Sequence, residues 1–170
     1  MSDDLTDRVA ALEAAMARLE AGLGSNHSGT PLPPAQAGEF WALEGLEQRH
    51  PEGAVLLAGS VEVPEAGPVR WQYGLAQASL LDLDWAELAA ALDALGHPVR
   101  LTLLQLVLSG VRSTAALAAR DELGTTGQLH HHLRVLLGAG WLSSTSRGHY
   151  EIPASRVVPL LAILLAARPT

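Results

Sequence analysis

Three consecutive histidines, His130, His131 and His132, stand inside GTTGQLHHHLRVLLGAGWL, residues 124–142. Clustered imidazoles suggest metal ligation or proton transfer. The surrounding pattern is helical, however, and consecutive helical residues point about 100° apart, so three adjacent rings cannot converge on one ion. Metal pairs on a helix need i,i+3 or i,i+4 spacing. With Leu129 as the core direction, Leu133, Leu136 and Leu137 lie beside it and His132 sits at the edge of the apolar face. His131 points away from it, flanked by Gly127, Gln128 and Arg134, and His130 lies to one side, one turn before Arg134. One histidine therefore packs, and two project outward beside a guanidinium and an amide.

Nothing else in the chain competes for a chemical role. There is no cysteine, which removes disulfides, thiolate metal sites and thiol nucleophiles together. No Gly-rich phosphate loop, convergent carboxylate pair or nucleophile–base set is present, so the expectation is a non-enzyme with no cofactor and no metal. No apolar run approaches a membrane span, and the N-terminus is acidic and amphipathic rather than a secretory signal. A soluble cytoplasmic protein is expected.

The net charge of −7 argues against a nucleic-acid partner until its distribution is considered. Residues 1–96 carry four arginines against fifteen carboxylates, whereas residues 97–170 carry seven arginines against three. The chain uses no lysine. A sign change between halves suggests two tasks, with the basic half the candidate for a polyanion.

Those side chains need elements to position them. Pro98 opens a helix that stops at Gly110, a short helix follows Ser113 as far as Gly124, and Thr125 or Thr126 caps the helix that carries the histidines, 125–138. Residues 142–152 read as two short strands about Arg147-Gly148, and SRVVPLLAILLAA reads as a last helix, apolar nearly all round. Upstream, LDLDWAELAAALDALG is helical, with Asp84 as N-cap and Glu87 as its capping-box partner. The order helix, helix, helix, turn, helix, β-hairpin, helix is the layout of a winged helix-turn-helix over residues 81–170. The fold class is mainly α with small β.

LGHPVRLTLLQLVLSG followed by TTGQLHHHLRVLLGAGWL resembles the ArsR-type family of winged helix-turn-helix regulators. Leu95, Gly96, Pro98, Arg100 and Leu101 carry the likeness in the first motif, and His132, Leu133, Leu136, Ala139, Gly140, Trp141 and Leu142 in the second. It covers roughly residues 92–166. The resemblance implies that helix 125–138 enters the major groove and that Thr126, Gly127, His130 and His131 meet bases and phosphates. Helical geometry adds Thr125, Gln128 and Arg134, since Gln and Arg bond adenine and guanine edges and Thr hydroxyls suit phosphates. Arg147 at the wing tip, with Ser146 and His149, is placed for backbone or minor groove. Metal-sensing members of that family use cysteines before the recognition helix or Asp, His and Glu on the last helix. This chain has neither, so metal sensing is not expected.

The remainder falls outside that likeness. Leu5, Val9, Leu12, Met16, Leu19 and Leu23 are spaced 4, 3, 4, 3, 4, which is a coiled-coil seam over residues 1–23. A Gly/Ser/Pro-rich linker, 24–38, separates it from a helix-plus-hairpin module, 39–80, in which Phe40, Leu43 and Leu46 form the expected buried edge of the helix. The seam, together with Val157, Leu161 and Leu164 on the last helix, predicts a homodimer reading an inverted repeat in double-stranded DNA. Trp41, Trp71, Tyr73 and Trp85 are either the core of their module or the lining of a pocket for a small-molecule or protein effector. The rival reading is a protein-interaction module that keeps the winged fold without reading DNA.

Overall fold

The computed structural model describes residues 40–169, a mixed α+β chain. The heptad seam Leu5–Leu23 and the linker 24–38 lie outside the described residues. Among those described are seven α-helices and two separate two-stranded antiparallel sheets.

Helix α1 (Trp41–Arg49) leads to a long hairpin, β1 (Ala54–Val63) and β2 (Gly67–Ala76), paired without interruption from Ala54–Ala76 to Val63–Gly67. Pro64, Glu65 and Ala66 make its turn, with the Ala66 N–H donating to Val63 O at 3.1 Å. Alternation sorts the strands into two faces. Gly59, Val61, Val63, Val69 and Trp71 turn inward, with Val63 buried in the main core and Val61 and Val69 packed against it. The expected boundary at residue 80 therefore falls inside one compact unit, which spans Glu44–Thr170. The hairpin has no second sheet to cover its inner face, so it uses the helical core. The edge expected on α1 does not form: Phe40 and Leu43 are exposed and Leu46 is half-buried.

The chain continues through α2 (Gln77–Leu81), a 3₁₀ turn (Trp85–Leu88) and α3 (Ala89–Asp93). Asp84 is the N-cap as expected, accepting from the Ala86 N–H at 2.9 Å, but the first turn it caps is 3₁₀ rather than α. Helix α4 (Pro98–Leu108) begins with proline at its first position, where a missing N–H costs nothing. The short helix expected over 114–123 divides into α5 (Thr114–Ala118) and a 3₁₀ turn (Asp121–Leu123), because Leu117 and Leu123 both reach the core and one continuous helix would carry them to different sides. Then come α6 (Thr126–Gly138), the short hairpin β3 (Ser143–Ser146) and β4 (His149–Glu151), and α7 (Ala154–Ala166).

The core gathers Leu103, Leu104 and Val107 of α4, Leu117, Leu123, Leu129, Leu133 and Leu136, Trp141 and Leu142, and Val157 and Leu160 of α7. Helix α7 lies against both strands of the long hairpin. Gly59 makes that approach possible: a Cβ there would stand 2.7 Å from Cγ1 of Val158. This corrects the dimerisation role expected of Val157. Val157 and Val158 are buried within the chain, one in the core and the other under the hairpin. Leu161 is half-buried and Leu164 exposed, and both line an apolar groove of about 350 Å³ between α4 and α7, with Leu101, Leu104, Leu108 and Leu160.

Candidate nucleic-acid interface

Gly124 lets the chain turn into α6. Its φ is +76°, a region that favours glycine. Thr125 then caps the helix with Gln128 in a reciprocal box. The Gln128 N–H donates to Thr125 Oγ1 at 3.4 Å, and the Thr125 N–H donates to Gln128 Oε1 at 2.8 Å. The Thr125 hydroxyl also donates to that oxygen, at 3.1 Å. This modifies the role expected of Gln128, whose carbonyl oxygen serves the cap and whose amide nitrogen alone is left to face outward.

The helix is divided sharply by side. Leu129, His132, Leu133 and Leu136 are buried, while Thr125, Thr126, Gly127, Gln128, His130, His131 and Arg134 are exposed. The three histidines separate as their 100° spacing requires. His132 stacks on His97 with ring centroids 4.7 Å apart, and His131 meets its edge at 5.5 Å. His97 Nδ1 accepts the Val99 N–H at 3.2 Å and so caps α4, while His132 Nδ1 is buried without a hydrogen-bond partner. Burial first, and then the neighbouring charges of His97, His131 and Arg100, hold His132 below the usual histidine range. His132 is thus a neutral packing residue that ties α6 to the start of α4.

The short hairpin presents Ser144, Thr145, Ser146, Arg147 and His149 to solvent. A register shift between Ser144 and Ser146 bends its first strand. Its turn and second strand are tied to the rest of the chain, since the Thr114 N–H donates to Gly148 O at 2.8 Å and the Tyr150 N–H to Arg112 O at 2.9 Å.

Comparison with protein-family models, with curated proteins and with solved structures gives no match to this chain.

Counting the arginines of residues 97–170 overstates the charge available to a partner. Arg100 is buried, donating from Nε to Ala94 O and from Nη2 to Asp93 O, both at 2.6 Å. Arg112 donates from Nη2 to Pro64 O at 2.6 Å, and Arg156 stacks over the Trp141 ring at 5.0 Å. These three serve the fold. Arg120, Arg134, Arg147 and, at the end of the described residues, Arg168 are exposed. Arg120 was not among the expected contacts. It lines an open cleft with Arg112, Ser113, Thr145 and His149, the last two at the turn end of the short hairpin. Its place at the end of a short helix, four residues before the Gly124 turn, was the signal in the sequence.

The expected aromatic pocket is not assembled. Trp41 is exposed. Trp85 is exposed and donates its indole N–H to Leu80 O at 2.9 Å. Trp71 sits opposite Gly59, where the hairpin meets α7, and Tyr73 lies farther along the same face opposite Leu57, more than half exposed. Strand periodicity puts Trp71 and Tyr73 on one face, but only the part of that face above α7 is covered.

Proposed function

We propose that the chain is a homodimeric DNA-binding transcription regulator of winged helix-turn-helix type, with α6 reading the major groove and the short hairpin as its wing. The observation that carries this reading is the two-sidedness of α6. Its apolar side is clamped in the core, and its exposed positions from Thr126 to Arg134 offer hydroxyl, amide, imidazole and guanidinium groups to solvent. Arg147 and Arg120 are exposed as well, and their guanidinium groups suit phosphates. The apolar groove between α4 and α7, with Leu161 and Leu164 at its edge, supports assembly with a second copy. The deciding experiment is fluorescence anisotropy with duplexes from the promoter of its own gene across a salt series. A DNA reader gives specific binding that weakens steeply with salt. Binding that is absent, or identical for scrambled duplexes, refutes the reading.

One observation favours the second reading, a protein-interaction module. Leu81, Leu83, Trp85, Leu88 and Leu92 are all exposed, on a segment whose charged residues are Asp82, Asp84, Glu87 and Asp93. An apolar stripe with an acidic rim suits a protein groove with basic edges. If the DNA titration fails, pull-down comparison of Trp85→Ser with the parent is the next measurement.

A further inference from the structure

The turn of the long hairpin and the turn end of the short one border an open cleft of about 540 Å³. Its polar lining is Glu65 of the long-hairpin turn, Arg112 and Ser113 between α4 and α5, Arg120 just beyond α5, and Thr145 and His149 of the short hairpin. Hydrogen bonds hold these segments in place. Arg112 donates from Nη2 to Pro64 O at 2.6 Å, Ser113 forms an antiparallel bridge with His149, and the Tyr150 N–H donates to Arg112 O at 2.9 Å. The Ser113 hydroxyl accepts the Ala116 N–H at 3.1 Å, which leaves its own hydrogen to donate. Guanidinium, imidazole and hydroxyl groups thus line one opening, a donor set suited to the oxygens of a phosphate. One acid shares it. Glu65 Oε2 lies 3.8 Å from Arg112 Nη1, with the Glu65 side chain 76% exposed. At that distance and exposure the pair is weak, and an anion with better geometry can replace it. Glu65 is also the one non-glycine residue among those described with a positive φ, +66°. That conformation favours glycine or asparagine, so the turn itself does not call for a glutamate. The carboxylate is accounted for by what it faces, the guanidinium of Arg112.

We propose that the cleft seats a phosphate of the DNA backbone, with Arg120 as its main cation, and that Glu65 is a built-in competitor which the phosphate displaces from Arg112. This rests on the DNA-binding reading and adds to it a contact outside α6 and Arg147. The openness of the cleft favours a backbone phosphate over a free anion. A free anion finds solvent on one side and a carboxylate on the other, whereas a duplex held elsewhere on the chain presents its phosphates at high effective concentration. A phosphate contact carries no base information, so the cleft adds affinity equally for every sequence. The long hairpin then sets DNA affinity from its turn without reading a base.

Fluorescence anisotropy on the full chain tests the cleft, with the promoter duplex of its own gene and a scrambled duplex across a salt series. Arg120→Ala should weaken binding to both duplexes by the same factor, about threefold or more, and lower the salt slope by about one unit. Glu65→Gln keeps the shape of the turn residue and removes its charge, and should tighten both by about threefold. Glu62→Gln removes an equal charge from an exposed position of β1 outside the cleft, and should change affinity by less than about twofold. Arg112 is left intact because it holds the hairpin turn. Urea midpoints equal to the parent's are expected, and a lowered one in Arg120→Ala would make that residue part of the fold and overturn its role. Unchanged binding by Arg120→Ala, or a loss confined to one duplex, overturns the phosphate seat. Glu65→Gln that binds no tighter than Glu62→Gln overturns the competitor. A parent protein that binds neither duplex refutes the DNA reading and the cleft with it, whereas parent binding with silent variants overturns the cleft alone.

Discussion

The two hairpins of this chain follow opposite rules. The long one pairs ten residues with ten, alternates side by side, and turns Gly59, Val61, Val63 and Val69 toward α7 and the core. The short one pairs four residues with three across a register shift and carries hydroxyls, Arg147 and His149 on its exposed positions. A strand needs several alternating pairs before one face can be buried. Three or four residues cannot reach that point, so their side chains stay available. Length and alternation together mark the first hairpin as scaffold and leave the side chains of the second exposed, which on the DNA-binding reading proposed above makes it a surface for the partner.

The hardest blow to that contrast is Gly59→Leu. The new side chain starts 2.7 Å from Val158 Cγ1, in a wall that is already packed. Overpacking of this kind costs about 1–3 kcal/mol, and the upper end is expected here because backbone faces helix. Urea denaturation measures it. A midpoint equal to the parent's would mean that the hairpin does not rest on α7.

Arg134→Ala and His131→Ala carry the contrast to α6. Each should leave the unfolding free energy within about 0.5 kcal/mol of the parent, since both residues are exposed. Each should weaken operator binding by about 1–3 kcal/mol per lost base contact. Unchanged affinity in both would remove α6 from the DNA surface.

The buried side of the same helix is tested by pH. The folded chain keeps His132 neutral to a lower pH than the unfolded chain does. Between those two points the unfolded chain binds more protons, so stability is full above the ordinary histidine range, about pH 6.5, and is lost as pH falls through it. Thermal unfolding from pH 7.5 down to pH 5.5 should show the decline, and His132→Leu should flatten it. An equal slope in the variant would assign the titration elsewhere.

Arg147→Ala should have the smallest effect. Stability should not change measurably, and the salt dependence of DNA binding should lose about one unit of slope, as for one phosphate contact. A large loss of stability would make the short hairpin scaffold too and end the contrast.

Much of this was legible in the sequence because punctuation is local. Gly124 followed by Thr125 announces the start of α6, Pro98 announces α4, and Arg147-Gly148 announces the short turn. The buried and exposed sides of α6 follow from the 3.6-residue period alone. What covers what was not legible. The apolar circumference of α7 suggested a partner chain, while Val157 and Val158 are covered by the chain's own core and hairpin, a contact about a hundred residues apart in sequence for Gly59 and Val158. The arginine count had the same weakness, since charge is a property of a residue type and availability depends on neighbours. Arg100 and Arg112 are held by backbone carbonyls that no periodicity reveals.

The cap of α6 also has a kinetic consequence. Gln128 Oε1 holds both the amide and the hydroxyl of Thr125, so the helix end is closed before any partner arrives. On the DNA-reading proposed above, Gln128 reads a base with both ends of its amide only after exchanging Thr125 for that base. Association then divides into a fast, salt-sensitive encounter through the exposed arginines and a slower exchange within the first turn. The observed rate levels off at high DNA concentration, at the frequency with which the cap opens. Hydrogen exchange at the Thr125 amide in the DNA-free chain reports that opening before any DNA is added.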